Sequence, residues 1–300
     1  MKNMHKLMLG LFIPAALMVG ESALAAKITQ WSYENQVGFT NITGTTVVKS
    51  QFNPNATFAL GGNVIPSDAS GLATKLAWGT GFPVAANKSA FRLSDSTGTT
   101  TNGKITGVEI VDDNSDPLTQ GFVPDVSLFH DNFPIVANGS GLTGTTLVGS
   151  LLLKQLVPAG PELLGPLTGH FKIRFLETPN SATDHGGVCR DGQPKPCPDI
   201  FVLDAANSDP LNQELGTIDG FTYFLEVGLS GLTAVGNQGC VAAGQAAGCL
   251  GFITQENKTN RLDVFFRLTT RSNNVPEPGM LALLGLGLAG LGFSQIRRRK

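Results

Sequence analysis

Between Lys27 and Asn274 apolar residues recur at every second position, and a chain patterned this way can hide its apolar face only by pairing strands. Trp31 and Tyr33 alternate with Gln30 and Ser32. Leu72, Thr74, Leu76 and Trp78 alternate with Ala73, Lys75 and Ala77, and Phe91 and Leu93 flank Arg92. Val126, Leu128 and His130 share one face; Phe171, Ile173, Phe175 and Glu177 share another. The clearest alternation comes late, in Phe221, Tyr223, Leu225, Val227 and Leu229, and again in Leu262, Val264, Phe266 and Leu268. Turn pairs punctuate these runs: Asn53-Pro54, Gly61-Gly62, Asn102-Gly103, Asp116-Pro117, Asn138-Gly139, Asp209-Pro210 and Asp219-Gly220. Asn102-Gly103 reads as a hairpin tip. No long amphipathic helix is legible in this region. The expectation is therefore all-β: an antiparallel sandwich or jelly-roll-like domain over residues 26–274. Val157–Pro166, with three prolines, reads as a crossing loop or a seam between two halves. The stretch Asn114-Ser115-Asp116-Pro117-Leu118 returns as Asn207-Ser208-Asp209-Pro210-Leu211, which we read as repeated turn chemistry rather than a duplicated domain.

Both ends depart from this pattern. Lys2 and Lys6 precede an apolar run from Leu7 to Val19, and Ala23-Leu24-Ala25 is a small-x-small site. This predicts a secretory signal peptide over residues 1–25, cut before Ala26; its 13 apolar residues are too few to span a bilayer. At the other end, residues 275–300 fall into three parts. Val275-Pro276-Glu277-Pro278-Gly279 ends whatever precedes it, because its prolines continue neither a strand nor a helix. A 17-residue apolar run, Met280–Ile296, follows and predicts a single short transmembrane helix. Arg297, Arg298, Arg299 and Lys300 then stay in the cytoplasm by the positive-inside rule, which puts the residues before Val275 on the outer side.

Composition supports an exported body. Without Lys2, Lys6 and the four tail cations, 15 basic residues remain against 21 acidic ones, a body charge of −6. Nucleic acid requires a basic footprint, so it is excluded as a partner. Charged residues make up 15% of the chain, against about 25% in ordinary soluble domains. The four cysteines form two close pairs in sequence, Cys189 with Cys197 and Cys240 with Cys249. In an oxidising compartment they are expected as disulfides. Four cysteines allow three pairings; the local one is favoured because each pair brackets a turn-rich loop. A zinc site is the rival, but neither spacing resembles the two-residue gaps of zinc motifs.

The tripartite tail resembles the PEP-CTERM sorting signal of Gram-negative bacteria. That resemblance implies an exosortase, a membrane transpeptidase, as partner. It also implies transient anchoring in the inner membrane with the body on the periplasmic side, then passage to the cell surface or extracellular polymer. The body resembles the THxN group of such proteins in Trp78-Gly79-Thr80, in His130-x-Asn132 followed by Pro134-Ile135, in Glu177-Thr178-Pro179-Asn180, and in Cys249 through Glu256. Phe129 stands where that group has threonine. The resemblance implies no catalytic roles.

Read from the residues alone, His130 hydrogen-bonds a neighbouring backbone group and Asn132 closes an Asx turn before Pro134. The rival reading is a metal or acid–base site using His130 with Asp131, His170 or His185, as in a secreted hydrolase of matrix polymer. No cofactor is implied, but calcium is a candidate ion. Asp112, Asn114 and Asp116 alternate as oxygen ligands, though Pro117 and Val123 break the EF-hand pattern. Asp204, Asn207, Asp209, Glu214 and Asp219 form a second acidic stretch, and solvated turn acids are the plainer reading of both. Exopolysaccharide is a candidate partner, yet Trp31, Trp78 and Tyr223 sit in strand alternation that marks core rather than a flat sugar platform. No phosphate loop, nucleophile elbow or dinucleotide fingerprint is present. The chain reads as a surface-sorted, non-enzymatic β protein of the extracellular matrix, with a hydrolase and a calcium-stabilised adhesin or carbohydrate-binding module as rivals.

Overall fold

The computed structural model describes residues 26–53, 59–60, 63–64, 72–80, 87–95, 104–110, 121–135, 141–161, 163–178, 189, 197–208 and 210–273. The signal-peptide and sorting segments, with Ala23, Ala25, Val275–Pro278 and Arg297–Lys300, lie outside them, as do Asp112, Asn114, Asp116 and His185. Among the described residues no helix is long and apolar enough to cross a membrane.

Pairing, not packing of separate layers, organises the body. Strands β1 (Gln30–Gly44), β5 (Leu72–Trp78), β6 (Ser89–Ser94), β9 (Ser127–Asn132), β10 (Leu142–Val157), β11 (Leu163–Leu176), β12 (Asp199–Leu203), β13 (Asn212–Ile218), β14 (Phe221–Ser230), β15 (Thr233–Ala234), β16 (Leu250–Thr254) and β17 (Lys258–Ser272) form one antiparallel path. Its order is β13-β14-β17-β9-β6-β5-β1-β10-β11-β12-β16-β15. The sheet curls into a half-barrel. The all-β expectation holds, and its two facing layers are parts of one continuous sheet. Strands β2 (Val48–Asn53), β7 (Lys104–Ile110) and β8 (Val123–Pro124) pair onto it at β5, β1 and β17. The remaining two described strands, β3 (Ala59–Leu60) and β4 (Asn63–Val64), form a hairpin of their own.

Period two decides what points inward. In β1, Trp31, Tyr33, Asn35, Val37 and Phe39 are buried while Gln30, Ser32, Glu34 and Gln36 are half-buried. β1 is also where the sheet's pairing thins. Its first half pairs with β7, and it meets β5 only through Phe39 and Ala73, while β10 runs along most of its length. The curl of the sheet sets β5, β6 and β9 against β11 and β12. Phe91 lies 5.1 Å from Phe175 and 5.9 Å from Phe201, ring to ring, both edge-on. A second core fills the other end, with Trp31 edge-on to Tyr223 at 5.7 Å and Tyr33 edge-on to Phe266 at 4.8 Å. Both tryptophans and both tyrosines of the chain are buried.

The proline-rich stretch 157–166 corrects an expectation. It is neither a crossing loop nor a seam but the hairpin connection of β10 to β11, with Lys154 opposite Leu163. Prolines end pairing at a hairpin tip as readily as at a crossing, and composition does not distinguish the two. Both disulfides are local, Cys189–Cys197 and Cys240–Cys249. The second ties helix α1 (Asn237–Ala242) to the start of β16, over a small core of Ile200, Val202 and Val235. Loops this short stabilise by about 2–3 kcal/mol each on the chain-entropy model.

One acid is buried away from the acidic cluster described below. Asp125 accepts hydrogen bonds from the Asn35 side-chain amide at 2.8 and 2.6 Å. The pair sits on the wall of an apolar cleft with Leu128, Leu151, Phe171 and Phe266. Burial pushes the Asp125 carboxyl up to about 6, against the opposing pull of Asn35 and the Val126 backbone N–H. The folded state thus holds this proton more tightly than the unfolded chain. Its stabilising contribution is complete below about pH 4 and is lost as pH rises through about 6. Asp125→Asn should flatten this step: the unfolding free energy difference between pH 4 and pH 7, measured by urea denaturation, shrinks by about 2–3 kcal/mol relative to the parent.

Candidate acidic cluster beneath Trp78

Where the two halves of the curled sheet meet, the core stops being apolar. Polar side chains here stand on inward faces, in register with buried apolar neighbours. His130 follows Leu128 on β9, Glu177 follows Phe175 at the end of β11, and Asp199 precedes Phe201 on β12. Glu256 lies two residues past Thr254, which is the pairing partner of Asp199. Carboxylate oxygens of Glu177, Asp199 and Glu256 all lie within 4.8 Å of one another. Asp199 is fully buried, and Glu256 is 6% exposed.

Trp78 roofs this cluster. Its indole N–H donates to Glu177 Oε2 at 2.8 Å, and its ring stacks on the His130 imidazole at 5.5 Å between centroids with 22° between planes. Phe91 and Phe175 close on the same imidazole edge-on, at 4.9 and 5.2 Å. Gly79 makes room for this arrangement: its φ is +75°, and a Cβ there would fall 2.5 Å from Ile135 Cδ1. Asn132 braces the far side, its amide donating to the Thr254 carbonyl at 3.1 Å while Ser89 Oγ reaches its oxygen at 3.5 Å. Pro134 holds Phe133 extended behind it, and Ser89 Oγ donates to the Phe133 carbonyl at 2.9 Å. Thr178 holds Asp199, donating its backbone N–H to Oδ1 at 2.7 Å and its hydroxyl to the Cys197 carbonyl at 2.6 Å. The Cys189–Cys197 disulfide thus sits two residues from the buried acid that it helps to place.

This geometry overturns the plain reading of the His-x-Asn stretch. The His130 imidazole is 1% exposed and bonds no backbone group; neither ring nitrogen has a hydrogen-bond partner. Its Nε2 stands 4.0 Å from Asp199 Oδ2, beyond hydrogen-bond reach. Asn132 closes no Asx turn but bridges β9 to β16. The acid–base pairing of His130 with Asp131 also fails, because adjacent strand residues face opposite ways. Asp131 lies on the outer face, paired with Arg92 at 2.9 Å and accepting from Thr259. His170 pairs opposite Val148 and faces away from Phe171, Ile173 and Phe175. Phe129, outward on β9, is covered by the guanidinium groups of Arg92 at 4.3 Å and Arg261 at 5.5 Å. The acidic stretch after β12 is a clamped turn: Arg174 and Asn207 donate to Asp204 at 3.0 and 2.9 Å. Burial raises the Asp204 carboxyl, but these donors and Lys172 outweigh it and hold the group below its ordinary value.

The cluster is electrostatically costly. Burial, with the opposing Trp78 N–H and the nearby Glu256, pushes Glu177 up to about 8. Burial raises Glu256 to about 7, restrained by the Asn132 side chain. Asp199 is driven well above the usual carboxylate range by burial and then by Glu177 and Glu256, despite Thr178. Burial holds His130 down to about 3, so its imidazole is neutral. Among the described residues no Lys or Arg pairs with any of the three acids. Such a site either keeps protons or takes up a cation.

In the sequence Glu177 and Glu256 stand within recognisable segments but carry no legible role, and Asp199 stands outside them. The signal for Asp199 was an acid in the inward register of the apolar run Ile200-Phe201-Val202, directly after Cys197-Pro198.

By fold and site, then, this is an all-β protein whose curled sheet encloses a cluster of carboxyl groups around a neutral histidine. The chain carries a PEP-CTERM protein-sorting motif, whose family model matches residues 274–299. The match covers the tail and not the β body. No curated protein matches the chain. The motif implies export and sorting by an exosortase-type membrane system, ending at the cell surface.

The brace at Asn132 is testable. Asn132→Ala leaves the buried Thr254 carbonyl without its side-chain donor, and should lower stability by about 1–3 kcal/mol in urea denaturation with an unchanged slope.

Proposed function

We propose that this chain is a non-enzymatic structural or adhesive protein of the extracellular matrix, held briefly in the inner membrane by its tail and then released at the surface by exosortase-type processing. The observation that carries this reading is the sorting motif at residues 274–299, which begins directly beyond the last described strand residues. Both disulfides suit a body that works in an oxidising space. The non-enzymatic part is supported by the closure of the His130 cluster. Asp199 is fully buried and His130 is 1% exposed, so a polymer chain has no approach to either. Partnership with exopolysaccharide would use the outer strand faces, because every Trp and Tyr is committed to the core.

In an exosortase-bearing host, mass spectrometry of the surface and released protein should show a new C-terminus at or near Val275–Pro278. Deleting Arg297–Lys300 should leave the tail uncut and the protein retained in the membrane fraction. Unchanged processing and display of the deletion variant would refute the sorting route.

A further inference from the structure

We propose that Glu177, Asp199, Glu256 and His130 form a buried structural site for one divalent transition-metal cation of the zinc or manganese kind. Acidic clusters alone are common, and this one is set apart by its histidine. His130 is 1% exposed, bonds nothing through either nitrogen, and points Nε2 toward Asp199 Oδ2 at 4.0 Å. That separation is too long for a hydrogen bond but suits two donors sharing one ion. With ligand distances of about 2.0–2.2 Å, donors on the same first-row metal lie at most about 4.4 Å apart. The three carboxylates, within 4.8 Å of one another, need to close by only a few tenths of an ångström; His130 stands beside Asp199 but outside that mutual group, and joins the ion by a further movement of its Nε2.

The leftover bonding capacity matches such an ion. Asp199 Oδ2, Glu177 Oε1 and both Glu256 oxygens are buried without a well-formed hydrogen bond. Shared protons would leave both imidazole nitrogens without a partner, whereas a metal takes up Nε2 together with the carboxylate oxygens. One neutral imidazole with three carboxylates favours zinc, manganese or iron over calcium, which takes six to eight oxygens. Around the donors lies a supporting shell: the Trp78 N–H fixes Glu177, Thr178 fixes Asp199, and Asn132 faces Glu256. The donors come from β9, the ends of β11 and β12, and the turn after β16. A cation there cross-links the two halves of the curled sheet where they would otherwise repel.

The test uses the untagged protein as released from an exosortase-bearing host supplied with zinc, manganese and calcium, purified without chelator. Elemental analysis should find one zinc or manganese per chain. Glu256→Gln and His130→Gln should each lose it, with at least a hundredfold weaker binding when zinc is added back. Asp131→Asn, on the outer face, should bind like the parent. Trp78, stacked on His130, supplies a second readout: its fluorescence should change as zinc binds the metal-depleted parent and should not change in Glu256→Gln. No bound metal, calcium alone, or zinc retained in both Glu256→Gln and His130→Gln would overturn the proposal. If either variant fails to fold, Glu177→Gln with circular dichroism as the folding control decides by the same metal content.

Discussion

The contacts of Trp78 with Phe175 and Glu177 are where the two halves of this sheet meet. A continuous antiparallel sheet of this size gains little by curling unless its inner faces find each other, and here they do so through aromatic rings. Phe91, Phe175 and Phe201 meet edge-on across the gap, and Trp78 joins β5 to β11 by both ring contact and hydrogen bond. The sparse pairing of β1 with β5 allows this closure. That strand runs along β10 but touches β5 at one pairing only, leaving the sheet free to turn.

The same closure creates the molecule's main liability. Apolar walls remove water from around three carboxyl groups and leave each with the others as neighbours, so burial and mutual repulsion act in the same direction. Hydrophobic residues of similar volume would fill this space more cheaply. The surrounding groups are nonetheless built to hold these acids: an indole N–H for one, a threonine for the second, an asparagine near the third. Both disulfides flank this end of the fold, Cys189–Cys197 next to Asp199 and Cys240–Cys249 at the start of the strand that leads to Glu256. Export and site are thus linked, since these crosslinks form only after the chain leaves a reducing space.

Much of the strand content was legible because side-chain direction in a strand depends on parity alone. Leu262 to Leu268 and Phe171 to Glu177 point where their alternation placed them. Local disulfides were legible because short loops close at low entropic cost. The hairpin at Val157–Pro166 was not, since proline marks a break without saying where the chain goes next. His130 was misread for a related reason. The expected backbone bond is absent because inward parity sets the ring among Trp78, Phe91 and Phe175, and the rival pairing with Asp131 fails because those two residues face opposite sides of the sheet.

By itself the sequence determined the β pattern, the destination written in Val275–Lys300, and the inward parity of His130 and Glu177. These depend on neighbours a few residues apart or on composition. Only the tertiary structure decided that His130, Glu177, Asp199 and Glu256 share one enclosed space, because they are separated by up to 126 positions and are joined by strand register and by the curl of the sheet. Register is fixed by the burial of whole faces, a property of the assembled sheet that no short stretch of chain contains.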